Sequence, residues 1–260
     1  MESTTDPTQP GHPVPTRRTA RADNARPVAD VIRQTIVDGG FDGGLPSDDT
    51  LAREFRVSRN TVRAALALLR EEGWIDRAPR LGTTVAQRTV DHRLDSLRGL
   101  KETLTGYGEV RNTVRVATVL VPPPVVARKL ELAADEPVVY LERLRHLDGE
   151  TISLDLTYLA SDIGVALLKQ DLETNDVFPL IERVAGRPLG DADLSLTAAA
   201  ADAHSAATLD IAAGAPILLL ERLTRLDDGR PVDLEYIRMR ADRITMRGTV
   251  SRTHHESENP

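Results

Sequence analysis

The stretch Leu45–Val85, LPSDDTLAREFRVSRNTVRAALALLREEGWIDRAPRLGTTV, decides how the first third of the chain folds. Thr50–Phe55 carries apolar residues at helical spacing, and Arg56-Val57-Ser58 interrupts them. Ser58 can cap a second helix, because its hydroxyl oxygen can accept an orphaned N–H of the first turn. Along that helix Val62, Leu66 and Leu69 recur at i, i+4 and i+7, beside Ala65 and Leu68, so one side is apolar. Its first turn offers Arg59, Asn60, Thr61 and Arg63, away from the stripe or at its edge. The helix is predicted to stop near Glu72-Gly73, and Trp74-Ile75-Asp76 to pair with Thr83-Thr84-Val85 around Ala78–Gly82. That makes a small two-stranded wing with Trp74 in the core beneath it. A helix buried on one side with a donor-rich first turn is what a helix-turn-helix presents to the major groove of DNA.

Upstream, Ser47 suits an N-cap, with Asp48 and Asp49 favourable at the positive end of the helix it starts. Residues 26–38 form a helix with Val28, Val31, Ile32 and Ile36 on one side, Pro27 at its first position and Gly39-Gly40 at its end. Residues 1–24 are rich in Pro, Thr, Ser, Asp and Arg and read as a disordered arm. Residues 25–86 are thus one domain, and 87–93 a polar linker with His92 facing solvent.

Charge is distributed unevenly. Residues 1–90 hold 13 basic and 12 acidic residues, a net of +1; the remaining 20 basic and 28 acidic give −8, which sum to the chain's −7. Arg53, Arg56, Arg59 and Arg63 stand near a single acid, Glu54, so the positive field is local to the helix pair. A length of 260 residues favours two domains, and with aromatics at 3% the cores rest on Leu, Val, Ile and Ala. The absence of cysteine rules out disulfides and thiolate metal sites. No apolar run approaches a membrane span and the N-terminus lacks a basic-then-apolar leader, so a cytoplasmic protein is expected.

The second domain is expected over 94–248. Leu97, Leu100 and Leu104 imply a short helix, Val114–Val121 a strand, and Val125–Leu132 a helix. Residues 127–148 then align without gaps to 206–227, with 11 of 22 positions identical, among them Pro137/Pro216, Glu142/Glu221 and Arg143/Arg222. Each copy reads helix, turn, strand, Gly turn, strand, the last three being a hairpin signal. Two copies imply a pseudo-symmetric antiparallel sheet with helices on one side, an α+β domain. Strand alternation puts Arg143 and Arg145 on one face, and Ser153, Asp155 and Thr157 on one face of the next strand. Arg222 and Thr224 share a face in the second copy, as do Asp233 and Glu235. Arginines two apart form an anion fork. The same residues also suit a structural lattice in which Arg143 and Arg222 bond Asp155 and Glu235. Residues 249–260 read as a disordered polar tail, whose His254-His255 is a weak metal signal; no metal or cofactor is assigned.

The block G-x-LPS-x-x-x-LA-x-x-x-x-VSR-x-TVR-x-AL-x-x-L-x-x-EGW, then GT-x-V, resembles the winged helix-turn-helix of the GntR family of bacterial transcription regulators. The resemblance implies DNA contact through Ser58, Arg59, Asn60, Thr61 and Arg63, with Gly82 and Thr83 at the wing tip near the minor groove. Asp49 stands where the family usually has Arg, and Arg80-Leu81 where its wing usually reads Gly-Lys/Arg, so Ser47, Arg53 and Arg80 join the expected contacts. The strings PVVYLERLRHLDGETISLDLTYL and GRPVDLEYIRMRADR resemble the UTRA effector domain of the HutC-type branch of that family. That implies a chorismate-lyase-like fold, dimerisation and a small-metabolite effector. Arg143, Arg145, Asp155 and Asp233 match positions that commonly face it, with Ser153 and Glu235 beside them.

The expected function is a ligand-responsive transcriptional regulator: a homodimeric repressor that a small metabolite releases from a palindromic operator. An architectural DNA-binding protein with a vestigial sensor is the alternative. A lyase-like enzyme is weaker, because no Ser/His/Asp order, metal-ligand spacing, P-loop or dinucleotide fingerprint is present, and no catalytic residue is assigned.

Overall fold

In the computed structural model, residues 17–41, 44–78, 82–86 and 89–251 are described, and the chain divides into two units, Met1–Arg88 and Thr89–Pro260. The first unit contains α1 (Arg17–Val37), α2 (Asp48–Glu54), α3 (Arg59–Glu71), β1 (Ile75–Ala78) and β2 (Gly82–Val85). Its core is the apolar stripe expected on α3, with Val62, Ala65 and Leu69 fully buried against Ile32 of α1 and Leu51 of α2. Ser47 and Ser58 cap α2 and α3, accepting from Thr50 N at 3.3 Å and Thr61 N at 3.1 Å. The wing is antiparallel, running from Ile75 opposite Val85 to Ala78 opposite Gly82. Half-buried Trp74 packs beneath it against the core.

Two expectations about this end need correction. Helix α1 starts at Arg17, not at residue 26, and Pro27 lies inside it. Residues 17–26, RRTARADNAR, contain neither Gly nor Pro, so nothing in them stops a helix. Pro27 removes only one backbone donor from a helix anchored further on by Val28, Ala29 and Ile32. The arm expected over 1–24 therefore cannot extend past residue 16, and residues 1–16 lie outside the described part. So do Arg80 and Leu81 of the wing turn and the His254-His255 pair.

The second unit holds β3 (Val90–Arg93), α4 (Leu100–Leu104), β4 (Val110–Leu120), α5 (Pro124–Lys129), β5 (Val138–Leu147) and β6 (Glu150–Ala160). After them come α6 (Ser161–Leu167), α7 (Val177–Ala185), β7 (Leu189–Ala200), α8 (Ala203–Leu209), β8 (Pro216–Leu226), β9 (Pro231–Arg240) and β10 (Ile244–Arg247). Six strands form one antiparallel sheet in the order β4-β5-β6-β9-β8-β7. The order mirrors itself about the β6–β9 pair, as the sequence duplication requires. The first hairpin turns through Asp148 (φ 50°) and Gly149 (φ 83°), and positive φ at both central residues gives the twist that joins neighbouring strands.

The duplicated helices α5 and α8 pack on one face of this sheet, against Val138, Tyr158 and Leu234 and against Leu154 and Ile217. Helices α6 and α7 cover the other, against Val139, Leu141 and Leu159. Helices on one side only was thus incorrect: both sheet faces carry Leu, Ile and Val, so both need cover. The linker was also drawn too long. Val90–Arg93 is strand β3, paired in parallel with β10 from Ile244 opposite Val90 to Arg247 opposite Arg93. Val90 and His92 are buried there, with His92 only 4% exposed, contrary to its expected solvent position. The alternation of inward Val90 and His92 with outward Asp91 and Arg93 was visible, but a partner strand some 150 residues away was not.

Candidate functional site

The first candidate surface is the solvent side of α3. Off its buried stripe the helix leaves Arg59, Asn60 and Arg63 exposed, while the Ser58 hydroxyl accepts the Thr61 N–H of its first turn. Arg59 Nε pairs with Asp49 of α2, and Arg63 Nε meets Asp48 at 3.2 Å. Both acids belong to the first turn of α2, where the helix dipole favours them. Among the described residues Arg53 reaches only Thr50 Oγ1 and the Asp49 carbonyl, each at 3.4 Å. Ser58 and Thr61 hydroxyls contact each other at 2.9 Å, and Ser47 and Thr50 at 3.1 Å.

Two shallow clefts flank the helix. One of about 380 Å³ brings Arg63 together with Thr83 of the wing, Asp48, Arg70 and Asp76. The other groups Arg53 and Arg59 with Asp49. Leu45 N donates to the Thr83 carbonyl at 2.8 Å, which ties the segment before α2 to the wing, and Gly82 opens the strand at φ 84°. Of the expected DNA-facing residues, one cleft thus brings Arg63 together with Thr83, and the other Arg53 with Arg59. Arg70, two turns of helix after Arg63, lines the same cleft as that residue and was not among the expected contacts.

The second candidate is the sheet face beneath α7. Cross-strand register sets Arg143 opposite Asp155, Thr157 opposite Glu235, Arg222 opposite Glu235, and Thr224 opposite Asp233. These residues, with Arg145 and Ser153, form one polar layer in which no member is more than 4% exposed. Burying so many charges costs several kcal/mol per ion unless each finds partners.

Most do. Arg145 holds Asp155 through Nε at 3.3 Å and through an Nη at 2.8 Å, and Ser153 donates to the same carboxylate at 2.7 Å. Arg222 holds Glu235 by Nε at 2.7 Å and by a second, closer bond. It also donates to the Arg98 carbonyl at 3.1 Å and stacks over the Phe178 ring at 4.4 Å. The lattice expected from sequence is therefore half correct: Glu235 takes Arg222, but Asp155 takes Arg145 and not the Arg143 directly across from it.

Two groups, one basic and one acidic, are left over. Among the described residues Arg143 makes a single long bond, 3.5 Å to the Asn175 carbonyl, and its Nε and one Nη have no partner. Neither carboxylate oxygen of Asp233 has one. Burial first, and the neighbouring Glu235 charge second, push the Asp233 carboxyl well above the ordinary range against the pull of Arg222 and Arg143. Burial would raise Asp155 too, but the guanidiniums of Arg145 and Arg143 outweigh it and hold that carboxyl low. Burial and the Arg145 charge lower Arg143 itself.

At the margin of this layer sits His92, bonded to Thr103 Oγ1 at 2.8 Å. Burial, then the Arg222 charge, lower its pKa to about 4, so the ring is neutral. A cleft of about 210 Å³ opens between residues 92–98 and the start of β7, with Arg222 and His92 in its wall. Asp176, which accepts from Val177 N at the start of α7 and acts electrostatically on Arg143, Arg145 and Arg222, was absent from the expected site, as were His92 and Arg222. Arg222 alone was legible, as the repeat partner of Arg143.

Comparison with known proteins adds the family context. Residues 24–85 match the model of bacterial regulatory proteins of the gntR family, and residues 107–245 match that of the UTRA domain. A helix-turn-helix-type transcriptional regulator of Mycobacterium tuberculosis is 30% identical over 228 residues, covering 86% of this chain and 83% of its own. The helix-turn-helix-type transcriptional repressor NagR of Bacillus subtilis is 27% identical over 207 residues, covering 77% and 83%. Among solved structures, PhnF from Mycobacterium smegmatis superposes with a TM-score of 0.64 at 25% identity, covering 87% of this chain and all of that one.

Proposed function

The chain belongs to the GntR family of bacterial regulatory proteins and carries a UTRA domain, so it is a ligand-responsive, DNA-binding transcriptional regulator; on that premise we propose that it is a homodimeric repressor. In this reading Arg59 and Arg63 read bases, because a guanidinium fork matches guanine O6 and N7 together. Ser47, Ser58, Asn60, Thr61, Arg53, Arg80, Gly82 and Thr83 position the head on phosphates and the adjoining groove. The Arg59 and Arg63 ion pairs do not oppose this, since exposed pairs contribute about 0–1 kcal/mol and are readily exchanged for phosphate or base. Two heads on a palindromic site supply the affinity that one short helix lacks.

The input is the polar layer of the second unit. Arg143, Arg145, Ser153, Asp155, Asp233 and Glu235 receive a small metabolite, and its binding favours a dimer arrangement that no longer fits the operator. The carrying observation is that Arg143 and Asp233, a base and an acid, are buried with Nε and one Nη of Arg143 and both carboxyl oxygens of Asp233 lacking a hydrogen-bond partner among the described residues. A structural lattice leaves no reason for that, whereas a ligand gives one. No catalytic role belongs to the reading, and its site of action is the cytoplasm. Among the described residues no helix is long and apolar enough to cross a membrane.

Selection from random-sequence duplexes by the full chain tests the output: a palindromic site is expected, and its complex should weaken on adding the effector. Linkage makes the effect reciprocal, so operator DNA should weaken effector binding by the same factor. Equal effector affinity with and without DNA rejects the switch. Sedimentation that finds only monomer rejects the dimer.

A further inference from the structure

The charge pattern of the buried layer also restricts what it can bind; this step rests on the effector reading above. Arg145 neutralises Asp155 and Arg222 neutralises Glu235, each by direct hydrogen bonds. Subtracting those pairs leaves one guanidinium, Arg143, and one carboxyl, Asp233. Each is at most 1% exposed and has polar atoms without partners.

The two helix starts nearby are already filled by the chain itself. At the start of α4, Glu102 accepts from Gly99 N at 2.8 Å and Asp176 accepts from Lys101 N at 3.0 Å. Asp176 also accepts from Val177 N at 3.0 Å, so the same carboxylate closes the start of α7. Asp176 interacts electrostatically with Arg143, Arg145, Arg222 and Asp233, which places it in the same charge cluster. Gly99 lets it in: a Cβ built there would lie 2.0 Å from an Asp176 oxygen.

A doubly charged phosphate ester entering this layer would find one guanidinium without a direct ion pair, Arg143; the other vacant donors, one Nη of Arg145 and the Thr157 and Thr224 hydroxyls, bring no further net positive charge. Its second charge would be buried without a counter-ion, the costly arrangement. A neutral sugar would leave Arg143 without the charged acceptor that a buried guanidinium needs. A ligand with one singly charged acid group and one ammonium group satisfies both ends and leaves the net charge of the layer unchanged.

We propose that the effector is a small amphoteric molecule, an amino acid or a related amino-carboxylate, whose acid group bonds Arg143 and whose ammonium group bonds Asp233.

The test uses a deproteinised bacterial extract separated by ion exchange into anionic, cationic, neutral and amphoteric pools. Each pool is added to the full-length protein and to its Asp233→Asn variant, and thermal unfolding is followed. The amphoteric pool is expected to raise the wild-type Tm by a few degrees. Because Asp233 has no hydrogen bond to lose, the variant should melt no lower than wild type, yet gain nothing from that pool. Stabilisation by only the anionic, cationic or neutral pool overturns the amphoteric assignment while leaving the effector reading intact. An equal response of the variant to the amphoteric pool overturns it as well. If no pool stabilises wild type, the effector reading and this assignment fall together. The pool comparison on wild type decides the ligand class even if the variant does not fold.

Discussion

The protein carries two sets of arginines that differ in one variable, water. Arg59 and Arg63 on α3 have side chains about two-thirds exposed or more, each paired with one acid of α2. Arg145 and Arg222 pair with acids in the same way, but their side chains are at most 4% exposed. In water such a pair is weak and interchangeable, which suits a surface that must trade its counter-ions for DNA. In the dry layer the same pair is fixed, because separating it strands a charge. A third arrangement, Arg143 and Asp233 buried without an ion-pair partner hydrogen-bonded to either, is stable in neither sense, and that singles it out as the place for a ligand.

The contrast is sharpest in stability. Arg145→Ala leaves Asp155 buried with only Ser153 to bond it, and should cost about 3–5 kcal/mol in denaturant unfolding. Arg59→Ala, on the surface, should stay within about 0.5 kcal/mol of wild type. Similar costs for the two variants would break the comparison.

Next in size is a pH effect confined to the buried layer. The fold holds His92 neutral, with its pKa lowered from 6.5 to about 4. The unfolded chain takes up that proton first, so this contribution is complete above about pH 6.5 and drains as pH falls toward 4. The loss reaches about 3 kcal/mol by pH 4. Asp233 acts in the opposite direction. Its raised pKa favours the fold at low pH, and that contribution is lost as pH rises through the folded value. His92→Gln should therefore flatten the acid side of the stability profile, and an unchanged slope would remove His92 from the account.

The DNA surface gives smaller numbers. Arg59→Ala should weaken binding to the selected duplex by about 1–3 kcal/mol without altering the unfolding midpoint. Intact affinity in a gel-shift titration would move base reading elsewhere. Asp49→Asn releases Arg59 from its ion pair and should strengthen DNA binding by about 0.2–1 kcal/mol, with a steeper salt dependence. A variant that binds more weakly would mean that the pair pre-orients Arg59 instead of competing with DNA.

Much of the first unit was legible because its signals are local. Ser58 sits one residue before the helix it caps, and Val62, Ala65 and Leu69 mark its buried side within two turns. The early start of α1 was missed because a proline at residue 27 also fits a first-turn position. In the second unit the repeat disclosed the hairpins and the mirror order of the sheet. It could not disclose β3, whose partner β10 lies at the other end of the unit.

What the sequence by itself determined is therefore periodic and local: the capped helices, the wing, the duplication, and which strand residues share a face. Alternation grouped Arg143 with Arg145, and Asp233 with Glu235, without saying whether their face met water or protein. Only the tertiary structure decided that the charged face is the dry one. It did so because helices are drawn to both sides of a sheet whose two faces both carry apolar residues. It also chose the partners, giving Asp155 to Arg145 and not to the Arg143 facing it across the strands. Which charges end up paired depends on side-chain reach and on what is packed overhead. Neither is a property of any one strand, so no periodicity along the chain could have recorded it.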